Sequence, residues 1–550
     1  MSRASDGTAP AGPMVSGWPT RRSVSAGRMC SAPRSRLPGR GGSSTRSCSK
    51  PPRRNDVTGP QNPPPGLLRL EPVGRLLERV QRELSAAFDG ARPIRVSRAP
   101  GRLDVMGGIA DYTGSLVCEM TLDRAAAVAL QQRTDRMVQV FSFNLLDEHQ
   151  PFTFGMSLDD LARASAQRLH DELAEPGRRW AGYIVGCLFV LHEQGLADLK
   201  NPAAKGMNLA LYSTVPLGAG VSSSAAIEVA AMMALADHFA LRGEGRGLLD
   251  PMRLASLCQQ VENRIVGAPC GIMDQVTSCA GSQGELLRLL CQPHELQRPL
   301  PLPPGVRCVG INSRVKHSVG GGQYGITRCA AFMGHRMIVE KMRQMGQAAG
   351  MSLQADPLNG YLANLAIDDY KQYFRQFLPE SMRGSEFLSR FGGTIDTATK
   401  VEADREYHVR GATDHHVLEA NRVRNFAACM EEAATAPPGT RDQGLLLDKA
   451  GHLMYASHLS YTNDARLGAE ECDLLVELVR KREPAGLYGA KITGGGLGGT
   501  VAVLADATPR AEAAIEAIMD EYEKKTGHKP EAYLGSSPGA WAVGTAVTRL

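Results

Sequence analysis

The chain has 550 residues, of which 43% are hydrophobic, 22% charged and 5% aromatic, a composition that excludes collagen, coiled coil and global disorder. The net charge of +5 is concentrated at one end, because residues 1–60 carry a balance of +9 and the rest of the chain a balance of −4. This mildly acidic body has no basic groove interleaved with aromatic residues, which argues against a nucleic-acid partner.

Residues 1–65 are rich in Ser, Arg, Gly and Pro and poor in large apolar residues, so we predict a disordered basic extension. Its composition resembles an organelle transit peptide, and a dispensable extension explains it equally well. The most apolar run, residues 225–241, contains Glu228 and Asp237, so no membrane span is predicted. The twelve Cys are scattered without metal-site spacing, which favours reduced thiols and a cytoplasmic location.

The body predicts a mixed α+β fold, because its strands cluster instead of alternating regularly with helices. The clearest predicted strands are residues 94–99, 125–130, 137–143 and 207–212, and the clearest helices are residues 74–87, 180–192, 225–241 and 251–266. A Pro- and Gly-rich run at 299–305 predicts a boundary between domains 66–300 and 301–550. Beyond it we expect mostly helices until a strand, glycine loop and strand at 487–504.

Residues 216–224 combine the features of a phosphate cradle. The two glycines allow positive φ and close approach of the backbone, and the serines supply hydroxyls and amides at the first turn of a helix. A Ser-capped helix is the simpler reading, but three serines behind two glycines exceed what one cap needs. The predicted phosphate-binding residues are Pro216, Gly218, Ala219, Gly220, Ser222, Ser223 and Ser224.

A second glycine loop, residues 493–500, matches G-x-G-x-x-G but leads into another predicted strand. A dinucleotide-binding fingerprint must open a helix, so this reading is rejected. A third segment, residues 267–275, contains Asp274 among Gly and apolar residues, where solubility does not explain a carboxylate. We expect Arg102, in a predicted turn at 100–102, to pair with Asp274.

Together, residues 100–112, 216–226 and 494–499 resemble the three motifs of the GHMP kinases in order and spacing. The stretch 270–275, residues 316–318 ahead of Tyr324 and Arg328, and residues 407–410 and 453–458 are similar to the galactokinase branch. The resemblance covers residues 92–545. It implies two α+β domains with ATP and a sugar in the cleft between them.

The resemblance also implies roles for particular residues. The serine loop would cradle the ATP phosphates, and Ser223 and Glu262 would hold Mg²⁺. Asp274 would contact the anomeric hydroxyl of the sugar, with Arg102 beside it to offset charge on the moving phosphoryl group. Asp111, Gly271, Asp274 and Tyr324 would bind the sugar. Whether Asp274 removes a proton or only orients the hydroxyl stays open.

One segment departs from galactokinases, which read Gly-Glu-His-Thr-Asp-Tyr where this chain reads Gly-Gly-Ile-Ala-Asp-Tyr at 107–112. The Glu and His that face the C6 hydroxymethyl group there are Gly108 and Ile109 here. A sugar without that group avoids an unsatisfied buried polar contact. Residues 107–112 and 317–321 also resemble plant-type L-arabinokinases. We therefore expect an ATP-dependent sugar 1-kinase for L-arabinose; a galactose or uronic-acid kinase, or a catalytically idle sugar sensor, is the alternative.

Overall fold

Two main sheets form the framework of the protein, whose computed structural model describes residues 66–242, 248–315 and 322–550. The extension 1–65 and the segment 316–318 named above lie outside these ranges. The strands are β1 Ile94–Met106, β2 Leu116–Gln132, β3 Met137–Ser142, β4 Thr153–Ser157, β5 Met207–Ser213, β6 Glu285–Leu290, β7 Glu295–Leu296, β8 Leu300–Pro301, β9 Val306–Asn312, β10 Met382–Arg383, β11 Glu406–Tyr407, β12 Leu487–Ile492, β13 Thr500–Asp506, β14 Glu531–Tyr533 and β15 Thr545–Thr548.

Helices cover the sheets and fill the second half of the chain. They are α1 Val73–Glu83, α2 Phe143–Asp147, α3 Leu158–Arg163, α4 Ala166–Leu173, α5 Arg179–Glu193, α6 Ser223–His238, α7 Pro251–Val261, α8 Met273–Ala280, α9 Gln323–Ala348, α10 Ile367–Asp369, α11 Gly384–Phe391, α12 Val409–Thr435, α13 Arg441–Asn463, α14 Glu470–Arg480, α15 Pro509–Thr526 and α16 Ala540–Val543. A π-helical turn, Glu262–Val266, continues α7. The predicted α+β class is confirmed.

The first sheet has the order β15-β1-β2-β5-β3-β4, antiparallel except for the parallel pair β3 and β5. The strand β6 pairs with the first part of β2 and carries the short strands β7 and β8. Helices α5 to α8 cover one face. Every residue of α6 from Ala225 to Ala236 is buried, as expected for a helix that is apolar on all sides. Each fully buried Met or Leu there contributes about 1.5–3 kcal/mol.

The second sheet has the antiparallel order β12-β13-β9-β14. Val309, Ile311, Val501 and Val503 pack with helices α14 and α15 in one apolar cluster. The Pro- and Gly-rich run at 299–305 leads from β8 in the first sheet into β9 in the second. The last strand, β15, returns to pair with β1 of the first sheet. A split at 300/301 stays a prediction.

A third apolar cluster packs helices α9 and α12 against the segment 358–387. Leu358, Tyr370 and Phe387 are its fully buried anchors from that segment. The region 344–400, to which the sequence assigns no role, therefore supports α9 and α12. Within the described ranges, no helix is both long and apolar enough to cross a bilayer.

The structure corrects several predicted elements. The predicted turn Pro100-Gly101-Arg102 lies inside the continuous strand β1, where it forms a bulge against β2. The bulge arises because the Arg102 N–H donates to Val221 O (3.1 Å), and a Cβ on Gly101 would lie 2.8 Å from that oxygen. The helix predicted at 74–87 ends at Glu83.

Other boundaries also move. The helix predicted at 225–241 begins two residues earlier and ends at His238. The helix predicted at 251–266 is α-helical only to Val261 and then widens into the π-helical turn. The strand β9 interrupts the region where we expected mostly helices, because its alternating valine and isoleucine side chains fill the second sheet's core.

Candidate active site

The serine loop connects β5 to the start of α6. Gly218 and Gly220 have φ values of +71° and +70°, as the sequence predicts. Ser222 is the N-cap of α6 in the left-handed conformation (φ +57°), and its side chain makes no capping bond. The Ser222 hydroxyl is buried without a hydrogen-bond partner among the described residues. The N-terminus of this 16-residue helix therefore offers uncapped N–H groups and a positive dipole end to an anion.

The glycine loop between β12 and β13 lies against the serine loop. The Thr500 hydroxyl donates to Ala219 O at 2.7 Å. A Cβ on Gly220 would lie 2.9 Å from Thr493 O, and one on Gly499 would lie 2.6 Å from Ala219 O. Both glycines are therefore required by close backbone approach. The loop joins two strands, which confirms that it is not a dinucleotide-binding fingerprint.

Arg102 joins this loop pair to Asp274, as the sequence predicts. Its Nε and Nη2 donate to Asp274 Oδ1 at 2.9 and 2.7 Å, and its Nη1 donates to Gly220 O at 2.8 Å. The Arg102 side chain is 3% exposed and that of Asp274 is 22% exposed. Asp274 lies in the first turn of α8. A fixed guanidinium thus holds a carboxylate that remains accessible next to the predicted phosphate cradle.

A buried charge cluster behind Arg102 is not indicated by any sequence motif. Glu119 Oε2 lies 3.2 Å from Arg102 Nε, and Lys491 Nζ lies 2.9 Å from Asp104 Oδ2. The side chains of Glu119, Lys491 and Asp104 are fully buried. Burial, reinforced by Asp104, raises the pKa of Glu119 well above its usual value, while Arg102 opposes the rise. Neighbouring strands β1, β2 and β12 supply these groups.

Asp111 begins a short turn after β1 and faces the loop before α8. Its carboxylate accepts from the N–H of Tyr112 (2.9 Å) and of Met273 (3.4 Å). Gly271 is required there because a Cβ would overlap the Asp111 carboxylate. Burial, and the nearby charge of Asp274, raise the pKa of Asp111. Asp111, Gly271 and Asp274 thus form one contiguous group, as the sugar-binding prediction requires.

Two aromatic rings and an arginine line the side of this group. Tyr112 and Tyr324 meet edge to face with centroids 6.1 Å apart, and the Arg328 guanidinium lies 4.6 Å from the centre of the Tyr112 ring. Arg328 also forms a 2.7 Å ion pair with Asp396 and donates to Cys270 O at 3.2 Å. Asp396 comes from the region 344–400, and no sequence signal connects it to this place.

Glu262 lies at the junction of α7 and its π-helical turn, with its carboxylate buried. Gln275 Nε2 donates to Glu262 Oε2 at 2.7 Å. Burial and the charge of Asp274 raise the pKa of Glu262 to about 7, and hydrogen bonds from Ser224, Cys270 and Gln275 oppose the rise. Ser224, in the first turn of α6, is therefore the loop serine whose hydroxyl lowers the pKa of this carboxyl group. Ser223, the serine selected from sequence, precedes it by one residue.

Gly108 and Ile109 are both buried and do not form an open wall. Ile109 has φ +53°, which is strained for a β-branched residue and costs about 1–3 kcal/mol. A Cβ on Gly108 would overlap the hydroxyl of Tyr461, a fully buried residue of α13. The space left by the glycine is filled by a side chain from a distant helix.

The predicted residues thus fall into two adjoining groups. The first group is the loop and first turn of α6, with Pro216, Gly218, Ala219, Gly220, Ser222, Ser223 and Ser224. The second group consists of Asp111, Gly271, Asp274 and Tyr324. Arg102 lies between the two groups. No cluster of three or more His, Cys, Asp or Glu suited to a metal occurs in the described ranges.

Comparison with known proteins identifies the class. Family models match residues 83–132 (galactokinase galactose-binding signature), 183–282 (GHMP kinases N terminal domain) and 445–524 (GHMP kinases C terminal). The galactokinase of Lactococcus lactis, solved in complex with galactose, superposes with a TM-score of 0.61 at 21% identity, covering 86% of this chain and all of that one. The fold is thus the two-domain fold of the GHMP kinases.

Two curated relatives define the branch. The L-arabinokinase of Arabidopsis thaliana is 35% identical over 519 residues, 85% of this chain, and the chain spans about half (48%) of that protein's length. The galactokinase of Chloroflexus aurantiacus is 32% identical over 451 residues, 81% of this chain and 93% of that protein. The chain therefore belongs to the galactokinase branch of the GHMP kinases, which confirms the resemblance found in its motifs.

Proposed function

We propose that this protein is an ATP-dependent sugar kinase that phosphorylates the anomeric hydroxyl of L-arabinose to give L-arabinose 1-phosphate. The observation that carries the proposal is the position of the Arg102–Asp274 pair. Arg102 bonds to Gly220 O of the serine loop on one side and to Asp274 on the other. Asp274 in turn neighbours Asp111 and Gly271. A phosphate-binding backbone and a polar sugar site therefore meet at one accessible carboxylate.

The residues present fit ATP and Mg²⁺. The uncapped N-terminus of α6 and the two positive-φ glycines suit the phosphates. Ser224 and Glu262 offer one hydroxyl and one carboxylate, a donor set typical of Mg²⁺ bound mainly through substrate phosphates and water. Ser223 remains the ligand proposed from the family motif, and Ser224 is a second candidate because its hydroxyl lowers the pKa of Glu262. ATP supplies the phosphoryl group, and Mg²⁺ offsets its charge.

We propose that Asp274 orients the sugar hydroxyl and accepts its proton as the hydroxyl oxygen bonds to the γ-phosphorus of ATP and the bond from that phosphorus to ADP breaks. Arg102 fixes the Asp274 side chain through Oδ1 and leaves Oδ2 free to face the hydroxyl. Its guanidinium also brings positive charge next to the serine loop. Phosphoryl transfer depends mainly on positioning and charge stabilisation. Arg102 supplies both, because it is fixed between the serine loop and Asp274 and carries a positive charge.

The preference for L-arabinose rests on Gly108 and Ile109. L-Arabinopyranose has a hydrogen where galactopyranose has a hydroxymethyl group, so it needs no polar partner at these positions. The identity to the Arabidopsis thaliana L-arabinokinase over 85% of the chain supports this choice. Galactose is the second candidate, supported by the galactose-binding signature at 83–132 and the full-length similarity to a galactokinase.

A coupled assay of ADP release over a panel of pentoses, hexoses and uronic acids tests the proposal. We expect sugar-dependent ADP release that is highest with L-arabinose and lost in Asp274→Asn. Release that no sugar stimulates would contradict the kinase assignment and favour the idle sensor. The cytoplasmic location drawn from the cysteine pattern stays a prediction.

A further inference from the structure

The space beside Gly108 is occupied by Tyr461. A Cβ on Gly108 would overlap the Tyr461 hydroxyl and lie 2.5 Å from Cε2 and Cζ of the ring. Tyr461 is fully buried in α13, more than 350 residues along the chain. No side chain can be added at position 108 unless this phenol moves. Gly108 and Tyr461 are therefore a matched pair, because the glycine leaves free the space that the phenol occupies.

Several contacts hold Tyr461 in this position. Its hydroxyl donates to Gly494 O in the second glycine loop at 2.8 Å. The His415 ring packs edge-on against the phenol with centroids 5.0 Å apart, and Lys491 Nζ lies 5.5 Å from the ring centre. His415 Nε2 lies 3.2 Å from Gly108 O, so the same histidine fixes both members of the pair. Tyr461 is thus a rigid filler that cannot swing aside freely.

The pair adjoins the proposed sugar site. Gly108 lies three residues before Asp111, in the turn closed by the Ala110 N–H to Gly107 O bond (3.1 Å). Tyr112 and Tyr324, both partly exposed, pack against the apolar cluster that contains Ile109 and Tyr461. The phenol therefore belongs to the apolar cluster against which Tyr324 of the proposed sugar site packs.

We infer that Tyr461 is a specificity-determining residue, whose phenol fills the room that an exocyclic hydroxymethyl group and a polar side chain at position 108 would need. The inference rests on the proposed function, because it takes Asp111 and Asp274 to hold the sugar. It goes further in naming a residue outside the three family motifs. Gly108→Glu alone therefore cannot create a galactose site, since its Cβ would overlap the Tyr461 hydroxyl.

The first test is kcat/KM for L-arabinose and for galactose in wild type, Tyr461→Leu and Tyr461→Phe. Tyr461→Leu vacates the hydroxyl and part of the ring, so we expect the galactose to L-arabinose ratio to rise about tenfold or more, the scale of a small steric change in a pocket. Tyr461→Phe removes only the oxygen nearest to position 108, and we expect a smaller rise.

Tyr455→Leu is the matched control, because Tyr455 is a buried tyrosine of the same helix and the same apolar cluster but does not touch Gly108. It should lower the melting temperature without changing the sugar ratio. A ratio that stays unchanged in both Tyr461 variants, or that changes equally in Tyr455→Leu, overturns the inference.

The second test introduces Gly108→Glu into wild type and into Tyr461→Leu. We expect a large loss of melting temperature in wild type and a clearly smaller loss in the Tyr461→Leu background, with galactose activity highest in the double variant. Equal losses in both backgrounds would overturn the matched pair. A wild type inactive on every sugar would instead overturn the proposed function, and this inference with it. If the wild type is active but the galactose to L-arabinose ratio is unchanged in the Tyr461 variants, only the role of Tyr461 is rejected and the proposed function stands.

Discussion

The two sides of the proposed active site are built in different ways. The phosphate side consists of backbone groups from two short loops, 216–224 and 493–500, each contiguous in sequence. The sugar side consists of side chains from the turn after β1 and from α8, α9, α12 and α13, together with Asp396. A backbone cradle needs glycines at fixed spacing, whereas a side-chain pocket needs only that distant residues converge. The phosphate side can therefore be predicted from short stretches of sequence, whereas the sugar side depends on tertiary contacts.

Removing the group that joins the two sides should have the largest effect. Asp274→Asn keeps the shape and a hydrogen bond to Arg102 but removes the negative charge that we propose accepts the sugar proton. We expect kcat to fall roughly 10²- to 10⁴-fold with ATP affinity within about threefold of wild type. Steady-state kinetics and nucleotide titration measure both quantities. Asp171→Asn, an exposed carboxylate of α4, is the control. Unchanged turnover in Asp274→Asn would show that the Asp274 carboxylate has no catalytic role.

A second comparison lies within the phosphate side. Of the loop hydroxyls, that of Ser224 lowers the pKa of Glu262. We expect Ser224→Ala to raise the Mg²⁺ concentration needed for half-maximal activity about 10- to 100-fold, the scale for losing a group that orients a metal ligand. Ser223→Ala should change it less. A larger increase in this Mg²⁺ concentration in Ser223→Ala than in Ser224→Ala would show that Ser223 is the metal ligand, as the family motif implies.

The smallest expected effect concerns the sugar side. His416 contacts the Tyr112 hydroxyl through Nε2 (3.0 Å) and the Thr113 hydroxyl through Nδ1 (3.2 Å). Burial, then the charges of His415 and Arg328, lower its pKa well below the usual value. In the unfolded chain His416 binds a proton as the pH falls below about 6.5, whereas in the folded protein it stays neutral. Stability is therefore lost as pH falls below 6.5.

Substitution of His416 by Gln should remove this pH dependence. Between pH 6.5 and 5, wild type should lose about 1–2 kcal/mol more stability than His416→Gln, since each unit of pH is worth about 1.4 kcal/mol. Denaturant titrations at the two pH values measure the difference. Parallel losses in the two proteins would show that His416 is not responsible.

The sequence predicts the parts of the molecule whose chemistry is local. The glycine conformations, the start of a helix at the serines and the Arg102–Asp274 pair all follow from short motifs, and the structure has them. The predicted turn at 100–102 is wrong because a glycine between Pro and Arg also suits a bulge inside a strand, and only the tertiary contact with Val221 distinguishes the two.

The remaining site residues could not be predicted, because their meaning is set by tertiary contacts. Glu119 and Lys491 resemble ordinary strand residues until both prove to be fully buried beside charged partners. Asp396 lies in a region without any motif. The glycine at position 108 can be recognised in the sequence as a departure from the galactokinase motif. Tyr461, which fills the space beside it, looks like an ordinary helical tyrosine in the sequence.

The proposed preference of the sugar side for L-arabinose over galactose can be measured as kcat/KM for the two sugars with wild-type protein at saturating MgATP. We expect kcat/KM for L-arabinose to exceed that for galactose by roughly 5- to 150-fold, the equivalent of one unsatisfied buried hydroxyl at about 1–3 kcal/mol. Galactose used as well as L-arabinose, or better, would contradict it while leaving the kinase chemistry intact.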